Sequence, residues 1–265
     1  MTNLLVKGRQ EGRDIAIVTP ALAGWCHVGF TAKRIARGEH DAFGTGGTEL
    51  CIVVLTGTVT VCAGEQVWRE IGGRRSVFDD GAPYSVYLPP RTMVTIDAHD
   101  DAEVALCSAP ASGSHEARLI APSSVACSMR GSGTNKRYVR DILPQTEPAE
   151  ALLVVEVVTP AGHSSSYPPH KHDADDIPAE SVLEETYYHR IDPPQGFAFQ
   201  RVYTDSRDID VAYAVENHDV VMVPRGYHPV VAPHGYRSYY LNVMAGPKRV
   251  WYFKNDPVHE WMLEK

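Results

Sequence analysis

The chain has 265 residues, 43% of them hydrophobic, and a formal net charge of −8. That size supplies one large domain or two modest ones with a buried core. The acidic balance argues against nucleic acid or an anionic membrane as the main partner, and no apolar run reaches the ~18–20 residues that span a bilayer. The N-terminal stretch MTNLLVKGRQEGRD shows no secretory leader pattern. The five cysteines, Cys26, Cys51, Cys62, Cys107 and Cys127, are odd in number, widely spaced and without a C-x-x-C. They read as free thiols of a reduced, cytoplasmic protein rather than as a disulfide framework.

Short β-rich runs separated by Gly, Pro, Asp and Asn recur along nearly the whole chain. In the first half these are Leu50–Leu55, Thr58–Cys62, Tyr84–Leu88, Met93–Ile96 and Glu103–Cys107. Leu55-Thr-Gly57-Thr-Val reads as strand, tight turn and strand. Residues 128–150 are rich in Gly, Ser, Pro and charge. Within them Arg130 to Arg140 is unusually basic and reads either as a solvated linker or as a crossing strand over a second barrel. The second half continues with Ala151–Val158, Thr186–Arg190, Phe197–Tyr203, Asp219–Val223 and Ser238–Met244. No window sustains a helical apolar period. The expectation is an all-β chain of two antiparallel barrels with few short helices, degenerate copies of one unit, divided at 1–140 and 141–265. Both halves place a proline corner after a strand, at Pro89-Pro90 and at Pro224.

Eight of the twelve histidines lie beyond residue 160. His170-Lys171-His172 is the key element, because alternation along a strand aims two imidazoles to one side. Such a pair is half of a site for a divalent transition metal. Glu184 and Glu185 open an aromatic strand downstream, and parity groups Glu185 with Tyr187 and His189, which favours Glu185 as the ligand. Glu184 stays open as ligand or as a base beside the metal. His228, after Pro224-Arg-Gly226-Tyr, is the fourth candidate, with His234 as its competitor. All five cysteines lie in the first half, away from this cluster.

Gly162…His170-x-His172…Glu185…Gly196 and Pro224-x-Gly226-x-His228 resemble the two motifs of the cupins. Here the gap from His172 to Glu185 is longer than usual, and the second motif is one residue short. Ser165–Asp173, Leu183–Arg190, Gln195–Asp205, Val223–Val230, Tyr239–Gly246, Gly133–Arg140 and Asp256–Trp261 closely resemble the 5-deoxy-glucuronate isomerase family of bacterial myo-inositol catabolism. That family is similar to the 4-deoxy-5-ketouronate isomerases of pectin breakdown. The resemblance implies a bicupin of two jelly-roll barrels, with an N-terminal barrel lacking the site. It also implies a metal on His170, His172, Glu185 and His228, and an aldose–ketose isomerisation of 5-deoxy-D-glucuronate to 5-dehydro-2-deoxy-D-gluconate.

Imidazole and carboxylate ligands suit Zn, Mn, Fe, Co or Ni. Glu184, Tyr187, His189 and His259 are candidates for proton transfer. Arg201 is the expected clamp for the substrate carboxylate, with Tyr203 on its face, and Tyr240 and Asn242 share a face suited to sugar hydroxyls. Trp251 and Trp261 read as packing residues. Two other functions remain open: a metal-dependent cupin dioxygenase, told apart by oxygen consumption, and a non-catalytic sugar-binding bicupin, told apart by binding without turnover. A homo-oligomer is expected because barrel edges pair across symmetry axes.

Overall fold

A computed structural model describes residues 3–264. Its described helices are one four-residue turn, Pro20–Ala23, and three 3-10 segments, Pro122–Ser124, Gly133–Asn135 and Pro257–Glu264. Every strand pairing is antiparallel.

In the first unit the longest strand, Thr48–Ala63, is shared by two sheets. Its first half pairs with Ser85–Leu88 and Ala102–Pro110, its second half with Gln66–Arg74 and Met93–Ala98. The tight turn expected at Gly57 is instead a bend within one continuous strand. Gly57 takes a φ of 80°, and the register slips on either side of it. A Cβ there would lie 2.7 Å from the Asp101 carbonyl oxygen, so the glycine permits both the bend and the close approach.

The second unit is a seven-stranded sheet facing a four-stranded one. The larger sheet runs in the order Leu5–Val6, Val220–Val223, Glu184–Asp192, Arg237–Ala245, Leu153–Thr159, Arg137–Leu143, Ala126–Arg130. The smaller comprises Ser164–Ser165, Val230–Val231, Ala198–Tyr203 and Asp210–Val215. The boundary expected at 140/141 falls inside the strand Arg137–Leu143. Two earlier pieces, Leu5–Val6 and Ala126–Arg130, also pair in the second unit's sheet. The end of the basic stretch, from Arg137, is therefore a crossing strand, because Tyr138 to Leu143 pair along Val154 to Val158, and residues 131–136 form the turn that joins it to Ala126–Arg130.

Three apolar clusters explain why so many strands read as unbroken hydrophobic runs. One fills the first barrel (Ile52, Val54, Val61, Ile96) and one fills the second (Val155, Val157, Tyr187, Tyr240). The third lies between the barrels and takes the opposite faces of the same strands, Cys51, Val53 and Leu55 against Tyr188, Tyr239, Leu241 and Val243. No described cysteine is disulfide-bonded. Cys51 and Cys107 are buried neighbours across this sheet, whereas Cys26 and Cys127 are exposed. No described helix is long and apolar enough to cross a membrane.

Candidate metal centre

The strand Glu184–Asp192 separates its two leading carboxylates by parity alone. Glu185 turns into the second barrel and is 2% exposed, whereas Glu184 turns to the first barrel. There the Glu184 carboxylate accepts the backbone N–H groups of Cys26, His27 and Val28 at 2.7, 2.7 and 2.9 Å. The expectation of Glu184 as ligand or base is corrected on this ground: it is a structural tie between the barrels, on the wrong face of its strand.

His172, Glu185 and His228 converge, with one ligating atom from each lying within 4.8 Å of the others. Two local features bring them together. The long gap after His172 is taken up by a hairpin, Asp173–Asp176 against Glu180–Val182, which closes where Asp173 faces Val182. Lys171, between the two histidines, points away into an acidic cluster with Asp173 at 2.6 Å. At the other corner, Gly226 takes a φ of 93° and abuts the Tyr203 backbone, where a Cβ would lie 2.5 Å from the carbonyl oxygen. This turn aims the Gly226 carbonyl at His228.

Each imidazole is fixed by its Nδ1, which donates to a backbone carbonyl: His172 to Leu183 at 3.1 Å and His228 to Gly226 at 2.8 Å. With Nδ1 carrying the hydrogen, Nε2 of each neutral ring presents a lone pair. These atoms lie 3.0 and 3.2 Å from the same Glu185 oxygen, and the His228 Nε2 is buried without a hydrogen-bond partner. Burial pushes the His228 pKa down to about 3. At His172 burial also disfavours the charge, but the Glu185 carboxylate outweighs it and raises the pKa. With both rings neutral, two imidazole lone pairs and a carboxylate around one point repel one another, which a cation between them relieves. The orphaned nitrogen and the donor set both fit a divalent transition metal.

His170 stands beside this triad without being as tightly drawn in. Its ring is 4.9 Å from that of His228, 6.4 Å from that of His172 and 4.7 Å from Phe253. Burial first, then the neighbouring His172 ring and the Arg137 guanidinium, pull its pKa down to about 3.

A cavity of about 260 Å³ reaches this cluster at His170 and Glu185, with Tyr187, Tyr240 and Asn242 also in its lining. The Tyr187 hydroxyl bonds Ser166 at 3.2 Å, and Tyr240 bonds Ser165. Burial and then the Glu185 charge push the Tyr187 pKa well above the phenol range, so it stays protonated. The wider groove of about 570 Å³ along the edge strand Ala126–Arg130 has no histidine in its lining.

Other expected residues lie elsewhere. His189 shares the inward face but sits outside the cavity lining, fully buried, with Nε2 2.8 Å from Gln200 and a pKa lowered to about 4 by burial. Arg201 is corrected: on Ala198–Tyr203 the inward side chains are Ala198, Gln200 and Val202, while Phe199 and Arg201 face outward. Arg201 is spent on Asp210, with two bonds of 2.8 Å. Tyr203 is buried but donates to Asp256 at 2.8 Å, beside smaller separate cavities. His234 is exposed, and His259 lies near Asp256, lining those same separate cavities. Sequence reasoning missed Arg137, Trp251 and Phe253, which line the main cavity. The signal for Arg137 was present in the basic stretch, and the crossing strand gives it its place.

The model of the KduI/IolB family matches residues 4–262. Relatives described as 5-deoxy-glucuronate isomerase include one from Geobacillus kaustophilus, 50% identical over 100% of this chain and 96% of the relative. Another, from Shouchella clausii, is 57% identical over 83% of this chain and 82% of its own. A crystal structure of an IolB-like protein from Salmonella typhimurium superposes with a TM-score of 0.97 at 47% identity, covering 99% of this chain and 100% of that one. The oxalate decarboxylase of Lactobacillus farciminis, at 13% identity and a TM-score of 0.67 over 100% of this chain and 91% of that one, shares the fold. The fold is the expected bicupin.

Proposed function

The chain belongs to the KduI/IolB family, and from that premise we propose how it works: it is a 5-deoxy-glucuronate isomerase, an aldose–ketose isomerase acting on a small uronate. The reaction is the conversion of 5-deoxy-D-glucuronate to 5-dehydro-2-deoxy-D-gluconate, a step of inositol catabolism carried out in the cytoplasm. The observation that supports a metal-assisted route is the buried, partnerless His228 Nε2 beside Glu185 and His172.

His172, Glu185 and His228 would hold a Zn, Mn, Fe, Co or Ni ion, with His170 completing the set. Such an ion, when bound, supplies stabilisation of negative charge on the substrate's carbonyl and neighbouring hydroxyl oxygens. Isomerisation moves one hydrogen from C2 to C1 and one from O2 to O1, so no external oxidant or reductant is required. Glu185, as a ligand, is ionised and is not the base. Tyr187, held protonated, donates to the substrate oxygen where charge develops, and Ser166 orients it. Tyr240 and Asn242 meet sugar hydroxyls from the adjacent strand. His189 supports Tyr187 from below rather than touching substrate, its ring stacked at 6.1 Å.

The test is NMR detection of the ketone from 5-deoxy-glucuronate with metal-loaded native protein, chelated protein and His172→Ala. Turnover by the first alone supports the reading. Equal rates in all three defeat the metal route, and no turnover by the first defeats the reaction. Oxygen consumption with substrate would turn the assignment to a dioxygenase.

A further inference from the structure

We infer that Arg137, assisted by the indole of Trp251, grips the carboxylate of the substrate and makes an acid group the feature the cavity selects. The inference rests on the isomerase reading and deepens it. On Arg137–Leu143, alternation puts Arg137 on the face of Val139, and both line the cavity; the next side chain, Tyr138, is 50% exposed on the other face. Register then places Arg137 relative to the metal residues. Val139 pairs with Val157, Val157 with Tyr240, and Tyr240 with His189, four residues along the strand from Glu185. Arg137 lies beyond that row and so enters the cavity from the end of the sheet opposite Glu185.

Arg137 is also the arginine with charge to spare. Arg130, likewise in the lining, donates to both Asp141 oxygens, at 3.2 and 3.1 Å. Arg140 is spent on Glu156 at 2.7 Å and Arg201 on Asp210. Arg137 bonds the Asn135 carbonyl at 3.2 Å and the Asn135 side-chain oxygen at 3.4 Å, both from Nη1. Among the described residues it has no carboxylate partner, and its Nε–Nη2 edge is left for a ligand. The Trp251 Nε1, a donor with no acceptor role, is buried without a partner in the same lining. A fork of guanidinium donors and an unsatisfied indole N–H lining one cavity supply the chemistry that recognises a carboxylate.

The experiment compares 5-deoxy-glucuronate with its neutral analogue, a hydroxymethyl group replacing the carboxylate, using metal-loaded native, Arg137→Gln, Arg137→Lys and Trp251→Phe proteins. Arg137→Gln should lose about 10- to 100-fold in kcat/KM on the acid, chiefly through KM, and less than about 3-fold on the neutral sugar. Arg137→Lys should recover part of the acid preference, and Trp251→Phe should lose about 3- to 10-fold on the acid alone. Equal losses on both sugars, or none, overturn the inference. Should Arg137→Gln fail to fold, the acid-to-neutral ratio of Arg137→Lys decides by the same rule. Native protein that turns over neither sugar defeats the isomerase reading alone. The clamp is then judged by binding of D-glucuronate against D-glucose to native and Arg137→Lys proteins, where equal affinities overturn it.

Discussion

Replacing Glu185 by Gln keeps the shape of the proposed metal centre and replaces its charged acceptor by a neutral amide that can also donate. In the native protein one carboxylate oxygen lies 3.0 Å from the His172 Nε2 and 3.2 Å from the His228 Nε2. A Gln amide in that place offers two N–H donors to the same two lone pairs and satisfies the buried His228 nitrogen that now has no partner. Relieving one unsatisfied buried polar atom is worth about 1–3 kcal/mol, which near Tm corresponds to a rise of roughly 2–10 °C. The same change removes the only carboxylate of the triad, so metal affinity should fall by about 100-fold or more. A metal at 100 times its Kd stabilises the native protein by ~2.7 kcal/mol, a gain the variant should lose. Thermal unfolding with EDTA, then with added metal, is the assay. Under EDTA, Glu185→Gln should melt no lower than native, whereas with metal native should melt clearly higher and the variant should not move. If the variant gains as much from metal as the native protein does, or melts well below it under EDTA, the reasoning about repelling lone pairs is refuted.

Gly226→Ala should lower metal affinity about 10-fold, measured by metal content after dialysis, because the added Cβ meets the Tyr203 backbone and shifts the carbonyl that orients His228. Glu184→Ala should leave metal content unchanged but cost about 1–3 kcal/mol in urea unfolding, since three backbone N–H groups lose their acceptor. Arg201→Ala should change kcat/KM by less than about 2-fold, an outward salt bridge to Asp210 being its only described ion pair. Glu150 gives the pH test. Burial would raise its pKa, but donors from Ser112, Gly113 and Ser114 hold it at about 2. A carboxylate with a depressed folded pKa stabilises above its unfolded pKa and loses that effect as pH falls through the folded value. Glu150→Gln should therefore lower Tm at pH 7, with the difference from native shrinking between about pH 4.5 and pH 2.

Much of the candidate centre's geometry was legible because spacing and parity act locally. Alternation alone divides Glu184 from Glu185 and sends Lys171 away from its flanking histidines, whatever the barrel does. The long interval before Glu185 looked like a departure from the cupin pattern, yet a hairpin that closes on itself leaves its ends adjacent. What local pattern did not carry was the facing of Ala198–Tyr203. Its aromatic residues, Phe199 and Tyr203, share the face of Arg201 and suggested that this face lines a pocket, yet Gln200, not Arg201, turns inward to meet His189. Arg137 went unread for a related reason: glycine, serine and charge describe a linker and a partly exposed crossing strand equally well, and the pairing with Leu153–Thr159 lies outside the local sequence. Gly57 shows the same limit, since a glycine between apolar runs permits a turn or a bend, and the neighbouring strands decide which.

The peptide bond joining Glu184 to Glu185 has a consequence for how this chain tolerates change. One side chain is anchored by main-chain amides at residues 26–28 of the first barrel, while the next reaches into the second barrel beside His172 and His228. The first barrel thus serves as the jig that sets the height of the strand carrying Glu185. Insertions or deletions at Cys26–Val28 should be felt at the proposed metal site, although that loop contributes none of its candidate ligands.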